Sequence, residues 1–132
     1  MNNTNQMNEA SLMEYLRENH YPDLVASVNP VSRWDCYSPS FNHRIELKCR
    51  NKHYDELMIE RKKYDSIMKI VRDSLEIPVY INSTPEGIYR WNLLDIAYSW
   101  FNKSLRKTTH FTNGNRIPKE IAMLPVVDAE IL

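Results

Sequence analysis

Residues 43–50, His-Arg-Ile-Glu-Leu-Lys-Cys-Arg, alternate apolar and charged side chains without interruption. In an extended backbone Ile45, Leu47 and Cys49 point one way and Arg44, Glu46, Lys48 and Arg50 the other. A period of two over this length reads as a half-buried strand, so the chain is committed to a sheet with one face against a core. Glu46 and Lys48 occupy alternate positions on the polar side. A carboxylate and an ammonium therefore project from one face and can reach one site.

A second acid lies upstream. Arg33-Trp34-Asp35-Cys36-Tyr37 has the aromatic and apolar character of another short strand, and Ser38-Pro39-Ser40 breaks it with a turn. A hairpin between the two strands brings Asp35 beside Glu46. Two carboxylates suit a hard divalent cation such as Mg²⁺, which takes a few carboxylate oxygens and keeps several waters. An ion so placed polarises a phosphoryl oxygen, acidifies an attacking water and orients the displacement. Lys48 adds positive charge where negative charge develops in the transition state. A single donor of that kind, when lost, has cost roughly 3 to 4 kcal/mol.

Wound at about 3.6 residues per turn, residues 56–74 place Leu57, Ile59, Tyr64, Ile67, Ile70 and Val71 in one sector. Arg61, Lys62, Asp65, Ser66, Lys69, Arg72 and Asp73 fill the opposite one. Glu60 and Lys63 fall inside the apolar sector, where charge must be paired or must face a polar cavity. One reading is an internal Glu60/Lys63 ion pair at i,i+3 spacing. The other is that both side chains point over the sheet toward the metal site.

With Asp35, Glu46-Leu47-Lys48, the Glu60-Arg61-Lys62-Lys63-Tyr64 segment and the strand-like Ile77-Pro78-Val79-Tyr80-Ile81 in this order, the chain resembles the PD-(D/E)XK nuclease superfamily. The succession looks especially like small phage-type nucleases and Holliday junction resolvases. The resemblance implies a restriction-endonuclease-like fold of the α/β (α+β) class, a mixed central sheet flanked by helices with an αβββαβ core. It also implies Mg²⁺, with Mn²⁺ able to substitute, held by Asp35, Glu46 and the backbone carbonyl of Leu47. Lys48 then positions water or stabilises charge, and Glu60 and Lys63 complete the catalytic set. Trp34 stands where the family's name has proline. Related resolvases sometimes bring an acid from their first helix to the metal, which makes Glu14 a further candidate ligand.

At 132 residues the chain is expected to be one domain over residues 11–132 behind a disordered tail, residues 1–10. Formal net charge is zero, which argues against coating nucleic acid by overall charge. Basic residues are nonetheless concentrated: Arg44, Lys48, Arg50 and Lys52 on or after the central strand, and Lys103, Arg106, Lys107, His110, Arg116 and Lys119 in the last third. Cys36 and Cys49 have no C-x-x-C spacing and the histidines are scattered, so neither zinc nor a disulfide framework is indicated. The start of the chain has no apolar signal region and no run reaches transmembrane length, so a cytoplasmic protein is expected.

The remaining segments supply the frame. Ser11-Leu12-Met13-Glu14 matches a capping box opening a helix to about Asn19. Leu24 to Val28 reads as a strand ended by Asn29-Pro30. Ile77 to Asn82 and Gly87 to Trp91 read as an antiparallel hairpin. Leu93 to Trp100 suits a helix or a strand, and Lys119 to Leu124, between Pro118 and Pro125, is open in type. Tyr89, Trp91, Tyr98, Trp100 and Phe101 are candidates for base stacking, with core packing the commoner fate.

The leading expectation is a Mg²⁺-dependent endonuclease cutting DNA, branched or double-stranded, as a homodimer wherever two strands must be cut. The alternative is a catalytically inactive nucleic-acid-binding or assembly protein on the same scaffold. A third possibility is that the Glu-x-Lys match is accidental, which a wide separation of Asp35 from Glu46 would favour.

Overall fold

The computed structural model describes residues 7–27, 35–106 and 116–132. The alternating segment forms strand β3, His43–Cys49, whose Ile45 and Leu47 are buried while Lys48 is exposed. Strand β2, Cys36–Ser38, pairs with it antiparallel, Cys36 opposite Ile45, so the expected hairpin is present. β2 is shorter than the segment 33–37 suggested. Asp35 stands one residue ahead of it, and Arg33 and Trp34 lie outside the described residues. Strand β1, Val25–Ala26, continues the sheet beside β2, whereas the Val28 end of its expected span and Asn29-Pro30 also lie outside the described residues.

Strands β5, Ile77–Thr84, and β6, Gly87–Asn92, form the expected antiparallel hairpin. β5 lies parallel to β3, with Glu46 beside Tyr80 and Lys48 beside Asn82. Parallel neighbours need a crossover. Helix α2, Arg61–Arg72, lies in that connection, preceded by strand β4, Glu56–Glu60. With the short C-terminal strand β9, Glu130–Ile131, the main sheet has the order β1-β2-β3-β5-β6-β9.

A second sheet, not anticipated from the sequence, joins β4 to β8, Arg116–Pro125, and β7, Phe101–Arg106, in the order β4-β8-β7. Leu57 and Ile59, expected in a helix running from Glu56, are strand residues facing Leu124 and Ala122 across the β4/β8 ladder. The i, i+2 spacing of Leu57 and Ile59 fits one face of a strand and also falls within a broad helical sector, so the local pattern admits both. Glu60 is consequently the N-cap of α2, with extended φ and ψ of −79° and 137°, and not a residue of its apolar face. Residues 93–100 are neither helix nor strand. Lys119 to Leu124 belongs to β8, and Pro118 lies in the same strand, opposite Ser104 of β7 and beyond Ile121, the last residue paired with β4.

Both faces of the main sheet are covered. On one, Ile45, Leu47, Val79 and Ile81 pack against Leu12 and Leu16 of helix α1, Glu9–Asn19. On the other, Tyr80, Tyr89 and Trp91 meet Ile67 and Val71 of α2 and Leu57, Ile59, Ala122 and Leu124 of the second sheet. Residues 78–84 of β5 are accordingly all buried, the continuous burial expected of a strand covered on both sides. Each fully buried aliphatic side chain contributes roughly 1.5 to 3 kcal/mol.

Helix α1 opens earlier than the sequence suggested. Asn8 is the N-cap, accepting the Ser11 N–H at 2.8 Å, and Ser11 returns the bond as the third helical residue. Within the segment expected as a tail, Glu9 and Ala10 are helical and Met7 packs on the core, while residues 1–6 lie outside the described residues. The succession α-β-β-β-α-β holds in the main sheet, with β4 inserted before α2. Among the described residues, no helix is long and apolar enough to cross a membrane.

Candidate active site

The site forms where β2 ends and β3 runs on. The Asp35 N–H donates to the Ile45 carbonyl at 3.0 Å, and its Oδ2 accepts the Leu47 N–H at 2.7 Å. Ile45 and Leu47, two residues apart, turn their peptide groups to the same edge of β3. The Leu47 carbonyl therefore faces the edge on which the Asp35 carboxylate sits.

Glu46 lies between these residues on the polar face, with its side chain only 12% exposed. Burial first, then the negative charges of Asp35 and Glu9, push its carboxyl up to about 8, while Lys63 and Lys48 act in the opposite direction. Lys63 reaches it from the first turn of α2, Nζ standing 3.7 Å from Oε2. Lys48, two residues along β3, is exposed at the rim.

A third acid comes from the start of α1, and it is Glu9 rather than Glu14. Glu9 lies within hydrogen-bonding reach of Asp35. Burial, repulsion from Asp35 and that shared hydrogen bond push it up to about 6, against the pull of Lys63 and Lys48. Glu9 and Glu14 are both exposed, so what separates them is the side of the helix each occupies. Helical spacing puts Glu9, three residues before Leu12, on the face of Leu12 and puts Glu14 about 200° around from it, but that this face meets the site is decided by the docking of Leu12 and Leu16 on β3.

Glu60 and Lys63 part company. Glu60 Oε1 is 3.3 Å from Lys119 Nζ on β8, and Lys63 pairs with Glu46. Among the described residues, the internal Glu60/Lys63 pair does not form, and only Lys63 of the two contacts the acid cluster. Arg44, on the same face of β3, is engaged by Glu76 and lies over the Tyr37 ring, 4.2 Å from its centroid.

Asp35, Glu46 and the Leu47 carbonyl make a set of hard oxygen donors suited to Mg²⁺ or Mn²⁺ with water completing the shell. Among the described residues, no three carboxylate, imidazole or thiol groups are drawn into a ready-made cage. The fit rests on charge: Glu9, Asp35 and Glu46 repel one another, and a cation placed between them would relieve that repulsion and favour the ionised carboxylates.

The aromatic candidates are mostly structural. Trp91 is buried and donates Nε1–H to the Pro125 carbonyl at 3.0 Å, and Tyr89 belongs to the same core. Tyr98 stacks on Trp100 with an interplanar angle of 7°, both against Tyr64. Phe101 is 46% exposed. Cys36 and Cys49 are free thiols.

No protein-family model and no curated protein matches the sequence. Among solved structures, the chain is similar to Hjc of Archaeoglobus fulgidus, a Holliday junction resolvase from an archaeal hyperthermophile. The TM-score is 0.59 and the identity 11%, over 92% of this chain and 94% of that one. At that identity the likeness is one of fold. The mixed central sheet flanked by helices is the nuclease-like fold of that resolvase.

Proposed function

We propose that this chain is a metal-dependent endodeoxyribonuclease of the PD-(D/E)XK superfamily, acting on branched or double-stranded DNA in the manner of a junction resolvase. The observation that carries the reading is the convergence of Asp35, Glu46 and Lys63 at the edge of β3, beside Lys48, on a fold shared with Hjc. Asp35, Glu46 and the Leu47 carbonyl would hold Mg²⁺, which when bound supplies Lewis acidity toward a phosphoryl oxygen and acidifies water.

The chain's own residues divide the remaining work. The Leu47 N–H fixes the Asp35 carboxylate, and Glu9, which interacts with that carboxylate, supports it or would add an oxygen to the shell. Lys63 favours the ionised form of Glu46. Lys48, exposed and aimed from the same face, orients the attacking water and stabilises charge developing on the phosphate. Glu60, through Lys119, ties the start of α2 to β8 and so supports Lys63 in place. Among the described residues there is one such site, so cutting both strands of a duplex or junction calls for a homodimer, acting in the compartment that holds the DNA.

Plasmid and four-way-junction cleavage with Mg²⁺ and with EDTA tests the reading. Cleavage that needs the metal and disappears in Asp35→Ala and Lys48→Ala protein is expected. Full activity in either variant overturns the residue assignment. Binding that is indifferent to chelator, with no turnover, assigns the chain instead to nucleic-acid-binding proteins without catalysis.

A further inference from the structure

Arg50 continues the polar face of β3 beyond Lys48, its N–H donating to the Ser83 carbonyl at 2.8 Å. Its guanidinium is held on one side by neutral acceptors alone. Nε donates to Asn82 Oδ1 at 2.6 Å, and one terminal nitrogen donates to the Met58 carbonyl at 2.6 Å and to the Tyr80 hydroxyl at 3.3 Å. The Tyr80 hydroxyl in turn donates to the same Met58 carbonyl at 3.0 Å. Asn82 is fully buried, and among the described residues its amide nitrogen has no acceptor in full hydrogen-bond geometry, its polar neighbour being the Tyr80 phenol. This arrangement fixes the orientation of an arginine without neutralising it. Arg44, Arg61 and Arg90 each have a carboxylate partner, but no carboxylate among the described residues comes within ion-pair distance of Arg50.

A half-buried cation held this way needs an anion to complete it. Arg50, just past the end of β3, opens on a groove of about 530 Å³ along the second sheet, lined also by Lys103, Tyr54 and Met58. Lys103 is exposed on β7. Asp55 and Glu56 line the groove as well and are exposed, outside ion-pair distance of Arg50. The planar fork of an arginine, pre-oriented by its neighbours, matches the two free oxygens of a phosphodiester. Arg50, one residue past the end of β3, lies two residues from Lys48, about 6 to 7 Å in extended backbone.

We propose that this groove is a phosphate subsite in which Arg50, oriented by Asn82, Tyr80 and the Met58 carbonyl and assisted by Lys103, grips the DNA backbone next to the phosphate presented to Lys48. The proposal rests on the nuclease reading for its ligand. It adds which way the strand leaves the site, toward the second sheet.

Binding of a fluorescent four-way junction and a duplex, followed by anisotropy in EDTA over a KCl series, tests the subsite apart from catalysis. Arg50→Gln and Lys103→Gln are each expected to weaken binding about tenfold and to reduce the slope of log K against log salt by about 0.9. Lys69→Gln, the same charge change on the exposed face of α2, is expected to do neither. Equal losses in all three variants, or unchanged slopes in the first two, overturn the subsite. Should Arg50→Gln fail to fold, Lys103→Gln and Arg50→Lys carry the test, since Arg50→Lys keeps the charge but loses the fork. Wild-type protein that binds DNA through these residues but never cuts it keeps the subsite and removes the nuclease reading. Protein that cuts normally in the Arg50 and Lys103 variants does the reverse, and protein that binds no DNA removes both.

Discussion

The carboxylate of Asp35 accepts the backbone N–H of Leu47 at 2.7 Å, so the acid ahead of β2 is fastened to the strand that carries Glu46 and Lys48. The bond serves structure and site together, because Leu47 is also a core residue packed against α1. Asp35→Asn separates the two roles. An asparagine oxygen still accepts the Leu47 N–H, but the charge is gone and so is part of the repulsion acting on Glu9 and Glu46. Cleavage is expected to fall at least about 100-fold, beyond the usual effect of losing a group that merely supports a ligand. The thermal midpoint is expected to stay level or rise, which differential scanning calorimetry measures.

Glu46 gives a pH dependence with a definite sign. Its carboxyl is raised from 4.5 to about 8 in the folded chain, so between those values the folded state binds more protons than the unfolded one, and stability falls as pH rises through that window. Urea unfolding between pH 4.5 and 8 is expected to show the decline, and Glu46→Gln to flatten it. Under the proposed metal-dependent mechanism, binding of Mg²⁺ at pH 7 would displace that proton. Calorimetry in buffers of different ionisation enthalpy is expected to register its release.

Lys63 holds Glu46 toward its ionised form from 3.7 Å. Removing the ammonium in Lys63→Met raises the Glu46 carboxyl further, so the acid limb of the pH–rate profile is expected to move to higher pH. Lys63→Arg is expected to restore most of it. An unmoved limb in Lys63→Met would separate Lys63 from the site.

Glu9 and Glu14 form an internal contrast on one helix. Glu9→Gln is expected to lower cleavage about 10-fold or more, the usual scale for losing a partner of a metal ligand. Glu14→Gln, on the other side of the helix, is expected to leave it unchanged. Equal rates in the two variants would return Glu9 to an ordinary first-turn acid favoured by the helix dipole.

Leu75, after the end of α2, has φ of 59° and is 87% exposed. A left-handed conformation costs a non-glycine residue roughly 1 to 2 kcal/mol, and this side chain recovers almost nothing by burial. Leu75→Gly is expected to stabilise the fold by about 0.5 to 1 kcal/mol after the entropy that glycine loses on folding, with cleavage unchanged.

Local periodicity by itself determined the parts of this protein that depend on the chain's own spacing. The alternation of residues 43–50 specified β3 and put Glu46 beside Lys48, the Ser-Pro-Ser break specified the turn that returns Asp35 to it, and the Gly87 turn specified the β5/β6 hairpin. Tertiary structure decided the rest. Leu57 and Ile59 satisfy a helix sector and a strand face equally well until β8 supplies a ladder for them. That pairing moved Glu60 to a cap and left Lys63 to meet Glu46 alone. Glu9 joined the site only because Leu12 and Leu16 dock α1 across β3. A repeat in sequence says which side chains share a face. It does not say what faces them, and the energy that chooses between two admissible conformations comes from that partner.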